Sequence, residues 1–172
     1  MRFVEGCGFE EFSRYLRRVG LYERKEDFDE LRDMLAAKRL NLIVWRDDGD
    51  EVIGHTLWHE ASTEEHRKGD PRDKEDREIL ERLAGGKKDV VELHEVWLDE
   101  RHRGKGFGKL FFPFFEDYVR RRGYDAIVYY AYHPAAVAIC RQRGYKEAYG
   151  IQLRAPKGET ETCYTFYLPL KI

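Results

Sequence analysis

The sequence lacks the features that mark membrane, secreted and nucleic-acid-binding proteins. Across its 172 residues, no apolar run approaches the roughly 18 residues that a membrane-spanning helix needs. Its first residues lack the apolar core of a signal peptide. The formal net charge is only −2, so no overall positive field attracts nucleic acid. We therefore expect a cytoplasmic protein that has neither a membrane nor a nucleic acid among its partners.

Cysteine and the side-chain amides are also scarce. The three cysteines, Cys7, Cys140 and Cys163, form neither a zinc-binding spacing nor an even-numbered disulfide framework. Asparagine occurs once and glutamine twice, whereas charged residues make up 37% of the chain, a balance typical of proteins from hyperthermophiles. His55 and His59 lack a third ligand at a suitable spacing. We therefore expect no metal and interpret both as satisfied or surface histidines.

One stretch, from Glu92 to Gly108, carries the strongest functional signal. It reads ELHEVWLDERHRGKGFG, an apolar-rich run followed by a charged turn, glycines and a helical pattern. Glycines allow positive φ angles and close approach of the backbone to a ligand. A helix that starts directly after them presents free N–H groups and the positive end of its dipole. The stretch therefore predicts a strand, a phosphate-binding turn and a helix, with positive charge from Arg103 and Lys105.

The glycines of this turn also have a recognisable spacing. The pattern Arg-x-x-Gly-x-Gly, carried by Arg103, Gly106 and Gly108, resembles the acyl-CoA pyrophosphate loop of the GNAT family of N-acetyltransferases. The rival motifs GxxxxGK[ST] and GxGxxG are both missing from the sequence. Their absence argues against a nucleotide-phosphate hydrolase and against a dinucleotide-binding enzyme.

A second segment, from His133 to Tyr145, resembles another signature of the same family, usually Asn-x-x-Ala-x-x-x-Tyr-x-x-x-Gly-Phe. Ala136 fits the pattern, and Tyr145 is equivalent to its phenylalanine. His133 stands where asparagine is usual, and Cys140 stands where tyrosine is usual. The two departures leave the details of the site open.

The resemblance, firm over residues 90–150, implies an α/β (α+β) fold. We expect a mixed, mostly antiparallel central sheet of about six to seven strands, with one parallel βαβ pair and flanking helices. The strands at Val90–Leu98 and 125–132 form that pair, because a helix of about 17 residues, with Pro113 inside it, separates them. Residues 1–172 are expected to form a single acyl-CoA N-acyltransferase domain.

Hydrophobic spacing predicts the elements before that pair. Helices are expected from Phe9 to Val19, with Gly20 as a stop signal, and over about 25–38. Asp47–Asp50 predicts the turn of a β-hairpin. Gly54, inside the second strand of that hairpin, indicates a bulge or a close approach of another backbone.

Residues 61–88 depart from the short connection that is usual in this family. They are almost wholly charged, with the two signs nearly balanced, and they include a segment with helical potential. Two interpretations remain open. The insertion is either a solvated helical excursion, or a lid over the acceptor site or a contact in a homodimer.

The central strand carries the candidates for a general base. Strand alternation places Glu92, His94, Val96 and Leu98 on one face. Glu92 and His94 fall where family members often carry a glutamate or histidine base, and both residue types can take the proton that an amine must lose. The alternative is a hydrogen-bonded structural pair. Glu95 points to the other face and is the weaker candidate.

The resemblance also implies which residues bind the cosubstrate. Backbone N–H groups at Val96–Leu98 would polarise the thioester carbonyl. Cys140 would either give a proton to the leaving thiolate or pack beside the CoA sulfur. The implied binding set is Val96, Trp97, Leu98, Arg103, Gly104, Lys105, Gly106, Phe107, Gly108, Lys109, His133 and Ala136.

Together these residues imply an N-acetyltransferase that moves an acetyl group from acetyl-CoA to a primary amine by direct attack in a ternary complex. The acceptor would be a protein N-terminus, a lysine or a small amine. The alternative is a non-catalytic acyl-CoA sensor or partner-docking module on the same fold. Cys140 and the charged insertion motivate that alternative.

Overall fold

The computed structural model of the protein describes residues 1–61, 81–82, 89–154 and 160–170. No helix in these ranges is both long and apolar enough to cross a bilayer. The elements are, in chain order, β1 (Arg2–Glu5), α1 (Phe9–Val19), α2 (Lys25–Ala36), β2 (Asn41–Arg46), β3 (Val52–Glu60), β4 (Val90–Leu98), a 3-10 turn (Glu100–His102), α3 (Phe107–Arg121), β5 (Ala126–Ala131), α4 (Pro134–Gln142), β6 (Lys146–Arg154) and β7 (Thr160–Pro169).

The strands form one seven-stranded sheet in the order β1-β2-β3-β4-β5-β7-β6. Antiparallel pairing joins β1 to β2, β2 to β3, β5 to β7 and β6 to β7. Within the described ranges, β4 and β5 form the one parallel pair, and α3 connects them along the chain. The mixed, mostly antiparallel sheet with a parallel βαβ pair is therefore confirmed.

Contacts divide the chain into two compact units. Unit 1 comprises Met1–His59 and Leu93–Phe107, and unit 2 comprises Glu60–Glu92 and Gly108–Ile172. The expectation of a single domain over the whole chain stays a prediction. The charged insertion expected at 61–88 lies almost wholly outside the described residues.

The core of unit 1 lies where α1 and α2 bury their apolar faces, with Phe12 and Leu16 of α1 fully buried. Helix α1 ends at Val19 and is capped by Gly20, whose φ of 70° lies in the left-handed region. Glycine adopts that conformation without strain, and the predicted stop signal is confirmed. Helix α2 ends at Ala36, slightly earlier than predicted, and Lys38 beyond it has a φ of 55°.

The hairpin between β2 and β3 turns at Asp47–Asp50, as predicted. The pairing register shifts beside Trp45, which lies opposite Gly54. A Cβ atom on Gly54 would be 2.8 Å from the carbonyl oxygen of Trp97 and 3.1 Å from the Trp45 ring. The bulge and the close backbone approach expected at this glycine are therefore both confirmed.

Replacing Gly54 with alanine should destabilise unit 1 by roughly 1–3 kcal/mol, because the added methyl group would overpack a site closed by backbone. A denaturant melt of G54A beside G49A measures this. A Cβ on Gly49 would meet Asp47 Oδ1 at 3.4 Å, an ordinary contact, so the control should melt close to the wild type. Equal midpoints for the two variants would show that β3 can shift freely.

In unit 2, α3 contains Pro113 as predicted and buries an apolar face formed by Phe111, Phe112, Phe115 and Val119. The same helix buries a charge. Glu116 is 6% exposed and accepts hydrogen bonds from Arg143 Nε at 2.6 Å, from Arg143 Nη2, and from the Tyr145 hydroxyl at 3.1 Å. The carboxylate is tolerated there because every close partner is a donor.

Candidate active site

The turn between β4 and α3 begins at a carboxylate that fixes the end of the strand. Asp99 is 5% exposed and accepts hydrogen bonds from the backbone and the guanidinium of Arg101. Those bonds lower the pKa of Asp99 to about 2, although burial opposes the shift. The Asp99 N–H donates to Ile53 of β3 at 2.8 Å. The strand end is therefore held in place before the glycines begin.

Two glycines of the turn adopt a backbone conformation that other residues rarely take. Gly104 and Gly106 have φ angles of 75° and 82°, and a Cβ atom on either would meet nothing within 4 Å. Gly108 differs, because its Cβ would lie 3.1 Å from Ile139 and its φ is not positive. The first two glycines thus shape a turn with open space beside it, and the third allows close packing of α3 in unit 2.

Helix α3 starts at Phe107, directly after these glycines. The first turn of a helix leaves its N–H groups without intrahelical acceptors, and the helix dipole adds positive potential there. That first turn contains no acidic residue. Lys105 and Lys109 are both exposed, one before the helix start and one after it. The local arrangement is suited to an anion with several oxygens, such as a diphosphate.

Arg103 has contacts within the protein. Its Nε donates to the Leu98 carbonyl at 2.9 Å, and its guanidinium carbon lies 4.7 Å from the centre of the Trp97 ring. The side chain therefore ties the turn back to the end of β4. Val96, Trp97 and Leu98, the predicted site of carbonyl polarisation, are all half-buried at that strand end.

The two predicted base residues lie on β4. His94 is exposed and Glu92 is half-buried. The rings of His94 and His59, the latter from β3, have centroids 5.6 Å apart. Glu92 comes two residues before His94 in the strand, so alternation places its carboxylate on the same face as the His94 ring. Neutral imidazoles can bind a metal as well as act as bases. The absence of a metal stays a prediction.

Sequence patterns did not predict one group of hydrogen-bonded side chains in unit 1. His55 is buried as a satisfied histidine, and its two partners are Tyr15 of α1 and Glu95 of β4. Strand alternation puts His55 on the same face of β3 as two apolar residues, Ile53 and Leu57. The sequence could therefore indicate a buried histidine between two core positions, but not its hydrogen-bond partners.

The remaining candidates lie in unit 2, on α4. Cys140 is fully buried, and burial, followed by the charge of Glu116, raises the pKa of its thiol to about 12. An ordinary thiol has a pKa of about 8.5, so Cys140 is the weaker acid and proton transfer from it to a CoA thiolate is uphill. The Nδ1 of His133 accepts the Ala135 N–H at 3.2 Å and caps the helix, while Ala136 is half-buried in its first turn.

Comparison with protein families gives one informative match. Residues 9–145 match the family model described as the acetyltransferase (GNAT) family. The matched range includes both glycine-containing signatures, from β4 into α3 and from His133 to Tyr145. A search of curated protein sequences finds no significant match.

Solved structures of acetyltransferases share this fold. A ribosomal-protein-alanine N-acetyltransferase from Brucella melitensis is 12% identical, with a TM-score of 0.67 over 98% of this chain and 99% of that one. A phosphinothricin acetyltransferase from Sinorhizobium meliloti, in complex with acetyl-CoA, is 16% identical, with a TM-score of 0.67 over 98% and 87%. A spermidine/spermine N-acetyltransferase from Vibrio cholerae is 15% identical, with a TM-score of 0.66 over 98% and 95%. At these identities the likeness shows the fold alone.

Proposed function

Because the chain belongs to the acetyltransferase (GNAT) family, we propose that it transfers an acetyl group from acetyl-CoA to a primary amine by direct attack in a ternary complex. The turn after β4 carries this proposal. It has two left-handed glycines with open space beside them and a helix start without acidic residues. Such a turn suits the diphosphate of CoA, and a structural neighbour was solved with acetyl-CoA.

We assign the diphosphate to the backbone N–H groups from Gly104 to Gly108, including Phe107. The exposed ammonium groups of Lys105 and Lys109 add positive charge. Arg103 acts by bracing the turn against Trp97 and the Leu98 carbonyl. His133 and Ala136, at the start of α4, are assigned to the pantetheine arm.

The chemistry requires three tasks of the protein. An alkylammonium with a pKa of about 10.4 must lose a proton before its nitrogen can attack. We assign the role of general base to Glu92 and His94, with a water molecule that relays the proton. Backbone N–H groups at Val96–Leu98 stabilise the oxyanion that forms on the thioester carbonyl. The thiolate then leaves, with Cys140 as a packing residue beside it because of its raised pKa.

The acceptor is proposed to be a primary amine of a protein N-terminus, a lysine or a small molecule. Structural neighbours include enzymes named for ribosomal-protein alanine, phosphinothricin and spermidine/spermine. These acceptors share an amine but differ widely in size and charge. The acceptor is therefore best found by screening that whole range.

A non-catalytic acyl-CoA sensor or partner-docking module is the second candidate. One observation favours it: the position where the family signature usually has tyrosine holds Cys140, whose buried thiol is a poor proton donor. A docking role would rest on the charged insertion at 61–88.

Incubation with acetyl-CoA and an amine panel tests the enzyme against the sensor. The panel holds spermidine, glucosamine, a lysine peptide and a peptide with a free N-terminus. We expect free thiol to appear only when an acceptor is present. The E92Q/H94A double variant should lose about 100-fold or more in kcat, the usual contribution of a general base, while its Kd for CoA is unchanged.

One control variant and one wild-type result make the test decisive. The variant E100Q changes an exposed carboxylate after β4 and should turn over like the wild type. A wild-type protein that binds CoA but releases no thiol with any amine would support the sensor.

A further inference from the structure

Three polar side chains from three elements meet in the core of unit 1. His55 of β3 is completely buried, and its Nε2 lies 2.5 Å from Oε1 of Glu95 on β4. Its Nδ1 lies 3.1 Å from the hydroxyl of Tyr15 on α1, a residue that is 2% exposed. A buried imidazole is costly unless its nitrogens are hydrogen-bonded, and here both are.

The hydrogen bonds fix where the protons lie. A carboxylate only accepts hydrogen bonds, so the Nε2 of His55 carries a proton and donates it to Glu95. In the part of the chain that the structure describes, His55 is the one hydrogen-bond partner of the Tyr15 hydroxyl. If the Tyr15 O–H donates to an unprotonated Nδ1, every donor among the three side chains has an acceptor. A proton on Nδ1 would leave the Tyr15 hydrogen without an acceptor, so His55 is neutral.

Glu95 consequently keeps its negative charge and one oxygen for another partner. Burial opposes ionisation of its carboxyl, but the hydrogen bond that His55 donates and the attraction of the neighbouring His94 outweigh it, and the pKa is lowered. Among the described residues, the hydrogen bond from His55 to Oε1 is the only one that Glu95 makes. Its side chain is 28% exposed, which leaves part of it open to a ligand.

Tyr15 and Tyr22 are close enough to this carboxylate to feel its charge, and two guanidinium groups of unit 1 have partners elsewhere. Burial, and next the charge of Glu95, raises the pKa of Tyr22, which follows α1. The Arg18 guanidinium lies 5.6 Å from the centre of the Tyr15 ring and pairs with Glu51, while Arg103 is turned onto Trp97. An anionic, partly buried carboxylate beside aromatic side chains is the setting in which proteins bind alkylammonium groups.

We propose that Glu95 binds the ammonium group of the acceptor, with His55 and Tyr15 as the buried residues that position its carboxylate. The name "acceptor" rests on the proposed function, whereas the ammonium site itself does not. Because Glu95 lies on the opposite face of β4 from Glu92 and His94, the proposal also makes it a rival to them as the base.

The proton step at this site is uphill, because an alkylammonium has a pKa of about 10.4 and the pKa of Glu95 is lowered, and attack of the neutral amine on the thioester draws it forward. An N–H bond of the bound ammonium breaks, and the proton forms an O–H bond with Oε2 of Glu95. The nitrogen keeps the electron pair and becomes a neutral amine, and Glu95 becomes a neutral acid. His55 keeps its Nε2–H bond to Oε1 throughout. On this route Glu95 replaces Glu92 and His94 as the catalytic base, and His55 and Tyr15 are positioning residues.

A binding experiment tests the site without turnover. The ring ¹⁵N signals of His55 are followed by NMR while butylammonium chloride is added, with butanol as a probe of similar size without the charge. We expect butylammonium to shift the signals and butanol to leave them unchanged. The variant E95Q should lose the response, and E26Q, the same change at an exposed carboxylate on α2, should keep it. No shift with butylammonium, or an equal shift in E95Q, overturns the proposal.

Kinetics with the best acceptor from the amine panel separates this inference from the function it rests on. E95Q should raise the KM for the amine at least about tenfold and lower kcat, with the KM for acetyl-CoA unchanged, because a charge-assisted hydrogen bond is lost. Y15F, which removes only the hydroxyl, should raise the amine KM less. An unchanged amine KM in E95Q overturns the inference. The wild type could also show no turnover while its binding of butylammonium still depends on Glu95. That result overturns the proposed function but supports the ammonium site.

Discussion

Replacing Gly106 with valine should weaken binding of CoA at least about 100-fold while the protein stays folded. The φ of Gly106 is 82°, a conformation that a β-branched residue does not adopt without strain. The turn would have to change, and the amides that follow it would no longer converge on one anion. Losing two hydrogen bonds to a charged group, each contributing about 1.5 kcal/mol or more, gives that factor. Isothermal titration with CoA measures it.

Gly123 supplies the matched control for this substitution. It lies just after α3, its φ is 90°, and a Cβ there also meets nothing within 4 Å. The variant G123V therefore carries a similar backbone strain of about 1–3 kcal/mol without touching the turn. We expect G106V and G123V to lose similar stability, and only G106V to lose CoA affinity. Equal affinity in the two variants would show that the turn does not hold the diphosphate.

The parts of the fold that could be predicted from the sequence are those with strong local signals. Strand β4 spans Val90–Leu98, the same bounds that its apolar-rich run predicted. The helix after the glycine turn and the stop at Gly20 have the same origin, because turn residues and side-chain periodicity depend only on neighbours in the chain.

The side-chain networks could not be predicted for the opposite reason. His55 lies 40 residues from both Tyr15 and Glu95 along the chain. Strand alternation gives the face on which a side chain lies, but not which helix covers that face or which residue of that helix ends opposite. Glu95 was judged the weaker candidate because only its face was known, whereas its partners make it a candidate ammonium site.

Arg103 shows that a sequence motif can identify a residue without predicting the direction in which its side chain points. The sequence assigned its charge to the phosphate site. Its guanidinium also donates to the Leu98 carbonyl and lies over the Trp97 ring, since a half-buried carbonyl and an aromatic face are both within its reach. Lys105 and Lys109 are exposed on either side of the helix start, so positive charge beside the turn does not depend on the rotamer of Arg103.

Replacing Glu116 with alanine should lower the stability of the protein by about 3–5 kcal/mol, because removing one partner of a buried ion pair leaves the other uncompensated. Arg143 donates to both carboxylate oxygens, and the Tyr145 hydroxyl donates to one of them. At about 2–4 °C per kcal/mol for a chain of this size, the midpoint of thermal unfolding should fall by about 10 °C. Calorimetry or a circular dichroism melt measures it.

The variant E147A is the matched control, because it also breaks an Arg–Glu pair in unit 2. Glu147 accepts from Arg141 Nε at 3.2 Å, but both side chains are exposed, and solvent already screens their attraction. Its melting midpoint should stay near that of the wild type. If E116A and E147A have the same midpoint of thermal unfolding, the buried carboxylate does not hold α3 to the end of α4. The packing of Phe111, Phe112 and Phe115 alone would then hold that helix in place.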